Sequence, residues 1–249
     1  MAGFKTHITT STILGIGYGA AAYLKFGLQP STCILASGLC SVSGMLPDID
    51  SDSGRPLRES LSFAAAVVPM MMVDRFRALG MNLETIILAG GGIYLAIRFG
   101  LGAILKHLTV HRGMFHSLPA AAIAGQAAFL AFGCEQLNLR YFVAGAVVLG
   151  FMSHLILDEI WSVEMKRGVP HLKSSFGTAM KFWGPAAGPN VLTYALLVAM
   201  SFFAVNDPAW MSRVGSWADG QRELAKNVLN DLGLDGNKPP TASIGGPKR

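Results

Sequence analysis

The chain has 249 residues, 51% of them hydrophobic and only 14% charged, with a formal net charge of +5. So apolar a composition excludes an ordinary soluble domain, and a modest positive charge spread over loops offers no surface for a nucleic acid. The balance predicts an all-α fold, a polytopic transmembrane helical bundle.

Spanning takes about 20 apolar residues per helix. In chain order the candidates are Ile8 to Leu24, Thr32 to Leu46, Leu61 to Val73, Leu83 to Leu105, Leu118 to Phe132, Tyr141 to Trp161 and Val191 to Val205, about seven membrane segments. The first follows Lys5 but contains Tyr18 and lacks a small-residue cleavage pattern, so it reads as a retained helix and not a signal peptide. The third is short, with Pro69 inside it. Gly15, Gly17, Gly19 and Gly90 to Gly92 suit close helix packing in lipid. Cys33, Cys40 and Cys134 form no CxxC pair and read as buried thiols. Past Asp207 the character changes. Trp210, Val214, Trp217, Leu224, Val228 and Leu232 recur among charges at helical spacing, an amphipathic interfacial helix, and membrane lipids with anionic headgroups are the expected partner. Beyond Gly233 the composition predicts disorder. The expected division is a membrane-embedded domain over 1–206 and an interfacial helix and tail over 207–249.

Three motifs beside the apolar runs carry chemistry, because histidines and carboxylates next to lipid are expensive. In LPDID, Pro47 ends a helix, and Asp48 and Asp50 can aim carboxylates at a cation. Interfacial caps produce the same pattern. In HRGMFHS, His111 and His116 are five apart, so Gly113 is expected to break the helix and let both rings turn inward. Ser117 makes an N-cap there, with Pro119 in the first turn. Arg112 could neutralise an anionic substrate or anchor a lipid headgroup. In SHLILD, His154 and Asp158 share a helix face. They can hold one metal, Asp158 can orient the imidazole, or the two can simply satisfy each other inside the bundle. His7 stands at the entry of the first helix. His107 and His171 are read as non-ligands, Asp52 as solvated loop, and Glu159 as an outer-shell group or an interfacial charge.

If all seven runs cross, His7, Asp48, Asp50, His111, His116, His154 and Asp158 fall on one side. The short third run must therefore cross. That side also carries Lys5, Arg55, Arg58, Lys106, Arg112, Lys166, Arg167, Lys173 and Lys181, against Lys25, Arg75, Arg77 and Arg140 on the other. The positive-inside rule makes it cytoplasmic.

An early histidine, then LPDID, HRGMFHS, GFMSHLILDEI and SFGTAMKFWG, in this order, resemble the bacterial membrane-bound metal-dependent hydrolase family that includes the LexA-regulated inner-membrane protein. The resemblance covers approximately Lys5 to Trp183. It implies a bacterial inner-membrane location and hydrolysis by analogy with zinc-dependent phospholipases. It also implies metal-site roles for His7, Asp48, Asp50, His111, His116, His154 and Asp158. Phe115 departs from the Thr usual before the second loop histidine, which removes a hydroxyl contact and leaves the ligands.

Seven candidates exceed one coordination sphere, so either two ions are bound or some residues sit behind the ligands. In a two-metal site Asp50 is the expected bridge, with Asp50, His116 and Arg112 as the catalytic set. Zinc is the default ion, with manganese or iron as alternatives. The leading expectation is a hydrolase of a phosphoester or lipid-derived ester at the membrane interface. The alternatives are a divalent metal-ion transporter and a non-catalytic membrane protein braced by metal.

Overall fold

The computed structural model describes residues 3–50, 54–103, 114–166, 169–172, 177 and 180–231. They form two compact units, Met1–Val205 and Asn206–Arg249.

The first unit is a helical bundle. Helix α1 (Phe4–Phe26) ends at Gly27, whose φ of 62° turns the chain so that its N–H donates to the Tyr23 carbonyl and the N–H of Leu28 to that of Ala22. Pro30 then sits in the first turn of α2 (Pro30–Ser43), where its missing N–H costs nothing. A 3₁₀ turn over Leu46–Asp50 follows, with Pro47 fully buried. Next come α3 (Arg55–Met71), the short α4 (Val73–Ala78) and α5 (Leu83–Leu95), whose N-cap Asn82 accepts from Thr85 N at 2.9 Å. α5 runs on into a π turn, Ala96–Leu101. Helices α6 (Leu118–Ala131), α7 (Leu137–Trp161) and α8 (Ala187–Val205) complete the bundle. Between α7 and α8 lies an antiparallel hairpin, β1 (Val163–Lys166) and β2 (Val169–Leu172), that pairs Val163 with Leu172 and was not expected in an all-helical chain.

Small residues set the spacing of α1, α2 and α7. A Cβ on Gly15 would lie 2.5 Å from the Ser37 carbonyl, and one on Gly19 would collide with Ser37 Oγ and the Cys33 carbonyl. Gly17 faces open space, so only two of the three glycines in this stretch serve the contact. On α7, a Cβ on Gly150 would collide with the Cys40 carbonyl and Ser43 Oγ. Ala36, Cys40 and Ala146 make the shared core, closed by Tyr18, Phe142 and Leu149. Cys33 and Cys40 are buried free thiols, as expected, and Cys134 is half-buried.

The helical expectation holds, but seven spans is too many. Among the described residues three helices are long and apolar enough to cross a membrane, Leu83–Leu101, Leu137–Trp161 and Ala187–Val205, with shorter apolar helices at Pro30–Ser43 and Leu118–Ala131. The first and third runs lose the status for physical reasons. α1 opens with Thr6, Thr9, Thr10, Ser11 and Thr12, and α3 opens with Arg55, Arg58 and Glu59 and stops just past Pro69. Even so, α3 runs the depth of the bundle. It begins against the 3₁₀ turn, and its last carbonyl, Met71, accepts from Gly133 N at 3.0 Å just beyond the far end of α6.

The second unit contains α9 (Pro208–Asp231), the expected amphipathic helix. The tail predicted to be disordered lies outside the described residues.

Candidate metal centre

Four separate segments deliver side chains to one end of the bundle. His7 comes from the first turns of α1, Asp48 from the 3₁₀ turn, His116 from the loop before α6, and His154 with Asp158 from one face of α7. His7 and His154 are 1% and 0% exposed, and Asp158 and His116 are nearly as deep. Asp48 is the exception, with a quarter of its side chain open.

The atoms facing one another are mostly acceptors. His116 Nε2 lies 3.3 Å from Asp48 Oδ1 and 3.8 Å from Asp158 Oδ2. His154 Nε2 is 3.6 Å from Asp48 Oδ1 and 3.5 Å from Asp158 Oδ2, and His7 Nε2 is 3.2 Å from Asp158 Oδ1. None of the three Nε2 atoms makes a hydrogen bond, although all are buried. The tautomer of His154 follows from its other nitrogen. Nδ1 sits 2.7 Å from the Gly44 carbonyl, which can only accept, so Nδ1 carries a proton and Nε2 is the nitrogen that faces two carboxylate oxygens. His7 stacks on the same ring, with centroids 3.6 Å apart and planes 12° from parallel.

Buried acceptors facing acceptors need either protons or a cation between them. Two carboxylates bring two negative charges to the cluster, which a divalent ion would balance. The spacings agree. Tetrahedral ligands at about 2.0–2.1 Å from zinc lie about 3.3–3.4 Å apart, close to the 3.3 to 3.8 Å edges joining His116, His154, Asp48 and Asp158. Two overlapping groups suit an ion, His7 with His154 and Asp158, and Asp48 with His116 and His154. Burial raises the Asp48 carboxyl, but the adjoining His116 imidazole, with His154 and His7 behind it, outweighs that and holds it below the ordinary carboxylate value. It is therefore ionised at neutral pH, as a ligand must be.

Local chemistry holds these side chains still. Ser117 is the N-cap of α6, as expected: its Oγ accepts from Ala120 N at 3.2 Å, with Pro119 in the first turn. Leu118 N donates to the Lys181 carbonyl at 3.1 Å, so the Met180 to Phe182 stretch braces the loop carrying His116. Asn190, fully buried, bonds both N and O of Gly184, whose α-carbon borders Met114. Gly44 allows close approach, since a Cβ there would meet Ser11 Cβ at 2.5 Å. Glu159 holds Gly177 N at 2.6 Å through Oε1. Neither the Gly44 carbonyl nor the Lys181 brace could be found in the sequence, because both act through backbone. Asn190 left a readable signal, an amide in an apolar run.

Of the sequence candidates, five are brought together: His7, Asp48, His116, His154 and Asp158. Asp50 shares the 3₁₀ turn with Asp48, but its side chain lies outside the described residues, as do His111, Arg112, His107 and Asp52. His171 is in β2.

Residues 1–214 match the sequence profile of the YdjM inner membrane protein family. No curated protein and no solved structure matches the chain.

Proposed function

The chain belongs to the YdjM inner membrane protein family, and from that premise we propose that it is a membrane-bound metal-dependent hydrolase acting on a phosphoester or lipid-derived ester. One observation carries the reading: three buried imidazole nitrogens, on His7, His116 and His154, lack hydrogen-bond partners while facing carboxylates. Asp48, His116 and His154 would hold the ion and leave a position for water, zinc by default and manganese or iron as alternatives. When bound, it supplies Lewis acidity, bringing a water's pKa towards neutrality and stabilising charge on the oxygens of the reacting ester.

The protein's own groups do the rest. The Gly44 carbonyl fixes the His154 ring, so its lone pair stays aimed without reorganisation. Asp158 turns Oδ1 towards His7 and Oδ2 towards His116 and His154, which fixes the three rings around it. Phe151 and Leu155 are buried apolar residues of α7, and Asp48 has a quarter of its side chain open, so water and substrate would enter past Asp48. Asp50 is the candidate for moving the proton and Arg112 for neutralising an anionic substrate, both nominated by the sequence. A second ion would draw on Asp50 and His111.

A multi-pass arrangement with the cluster end cytoplasmic is part of the proposal. Lys5, Arg55, Arg58, Lys166 and Lys181 adjoin that end in sequence, whereas Arg75 and Arg140 at the other end are taken up by carbonyls.

A metal that only braces the bundle is the second reading, favoured by how deeply four of the five side chains are buried. Metal content per chain in detergent-purified protein, wild type against Asp158→Asn, followed by hydrolysis of a phosphoester and lipid-ester panel with and without chelator, separates the two. The hydrolase reading expects an ion lost in the variant and turnover lost on chelation. An ion without turnover, whose removal melts the bundle, favours bracing. A wild-type chain that takes up neither zinc nor manganese sinks both.

A further inference from the structure

The metal cluster leaves one large surface unused, the apolar side of α9. Its place in the chain fixes where it begins. At its start, α8 is tied through Asn190 to Gly184 and so to Met114, at the cluster end. Eleven residues on, Ser201 Oγ accepts from Gln126 Nε2 at 2.9 Å, in the half of α6 remote from His116. α8 therefore leaves the bundle at the end opposite the cluster. It is a candidate membrane span that stops at Val205, and α9 starts at Pro208, with only Asn206 and Asp207 between. A helix that follows a span so closely begins at the membrane surface.

The pattern of α9 suits that level. At 100° per residue, Val214, Trp217, Leu224 and Val228 fall within about 80° of arc, and their exposures are 41%, 66%, 59% and 49%. Asp219, Arg222, Glu223 and Lys226 fall on the opposite side, where Asp219 and Arg222 pair in the open at 3.3 Å. Arg213, Arg222 and Lys226 are balanced by Asp219, Glu223 and Asp231, so the helix carries no net charge.

We propose that α9 lies along the bilayer surface, with the Val214, Trp217, Leu224 and Val228 arc sunk at the boundary between headgroups and acyl chains. Its partner is lipid. Tryptophan suits that boundary, having an apolar body and a polar N–H. With the charges balanced, apolar area is the driving force, so docking needs no anionic lipid and resists salt. That distinguishes this helix from a polybasic anchor.

The test uses the full-length chain with Trp161→Phe and Trp183→Phe, which leaves Trp210 and Trp217 as the only indoles. Helical content by circular dichroism and a monodisperse elution profile establish that this variant is folded. It is reconstituted into phosphatidylcholine vesicles with and without bromines at the upper acyl carbons, and emission is read against aqueous iodide. The proposal expects bromolipid to remove most of the emission and iodide little of it. The result should not change in high salt or on adding phosphatidylglycerol. Leu224→Lys with Val228→Lys should reverse the pattern, exposing the indoles to iodide. Quenching by iodide with none by bromolipid in the parent overturns the proposal. So does protection from both quenchers that disappears as protein is diluted into more lipid, since a second copy of the chain would then be covering the arc.

Discussion

The two ends of the bundle both bury polar and charged groups, and they do so in opposite ways. At the end away from the cluster, Arg140 is 2% exposed, its Nε and one terminal nitrogen donate to the Phe129 carbonyl at 3.1 and 3.0 Å, and its guanidinium lies 4.1 Å from the Phe129 ring. Arg75 donates to the next carbonyl, Leu130, at 2.6 Å. Two cations thus meet the last carbonyls of α6, where both the unpaired oxygens and the helix dipole favour them. At the cluster end, three imidazole nitrogens are just as deeply buried, make no hydrogen bond and face carboxylates. Burial against carbonyls makes a structural joint, whereas imidazoles gathered around carboxylates make a candidate site. Each substitution below acts on one end or on the seam joining them.

The largest effect is expected from His154→Ala. Its Nε2 belongs to both candidate groups, so one change dismantles both. Metal content of the purified protein should fall to background, and any hydrolytic activity with it. Zinc in peptide sites is worth about 10–16 kcal/mol in apparent terms, so the thermal midpoint should also drop to that of the chelated wild type. An unchanged ion content would mean that the metal sits elsewhere.

Gly150→Ala tests the seam. The added methyl collides with the Cys40 carbonyl and Ser43 Oγ, so α7 must shift off α2, and overpacking of this sort costs about 1–3 kcal/mol. Gly150 is one turn before His154, whose Nδ1 must still reach Gly44, the residue after Ser43. Stability and metal affinity should therefore fall together. Loss of stability alone would show that the cluster tolerates a displaced α7.

Arg140→Met draws the contrast between the two ends most directly. It keeps the packing volume roughly but leaves the Phe129 carbonyl without its donor, which costs about 1–3 kcal/mol. The melting temperature in detergent should fall while metal stoichiometry stays at the wild-type value. If the ion were lost as well, the ends would be coupled and the division between joint and site would fail.

The sequence made the cluster legible and its supports much less so. His154 and Asp158 are four apart on an apolar helix, and Asp48 follows a helix-ending proline, so residue type and spacing were enough to nominate them. His116 was nominated with His111 from the HRGMFHS motif and the family resemblance, and Ser117 and Pro119 announced the start of α6. What the sequence lacked is anything carried by backbone or by a partner's position: the Gly44 carbonyl that sets the His154 tautomer, the stacking of His7 on His154, and the Lys181 carbonyl behind His116. The span count failed for a related reason. Apolar content shows that a segment avoids water but not whether lipid or protein replaces it. Half of the apolar window in α7 is buried inside the protein, while none of that in Leu83–Leu101 is.

Gly17→Ala should do least, and its smallness is informative. Gly15, Gly17 and Gly19 look alike in the sequence, and all three could be credited with close packing. A Cβ at position 17 has nothing within 4 Å, whereas at 15 and 19 it meets α2. Glycine inside a helix costs about 0.8–1.0 kcal/mol relative to alanine, so the substitution should leave stability unchanged or raise it slightly, with metal content untouched. Gly15→Ala, two residues away, should destabilise by driving a methyl into the Ser37 carbonyl. Melting curves of the two variants in the same detergent make the comparison. Equal losses at both positions would mean that α1 meets another surface on the Gly17 side, such as a second copy of the chain, and that the contacts setting the His7 end of the site extend beyond a single bundle.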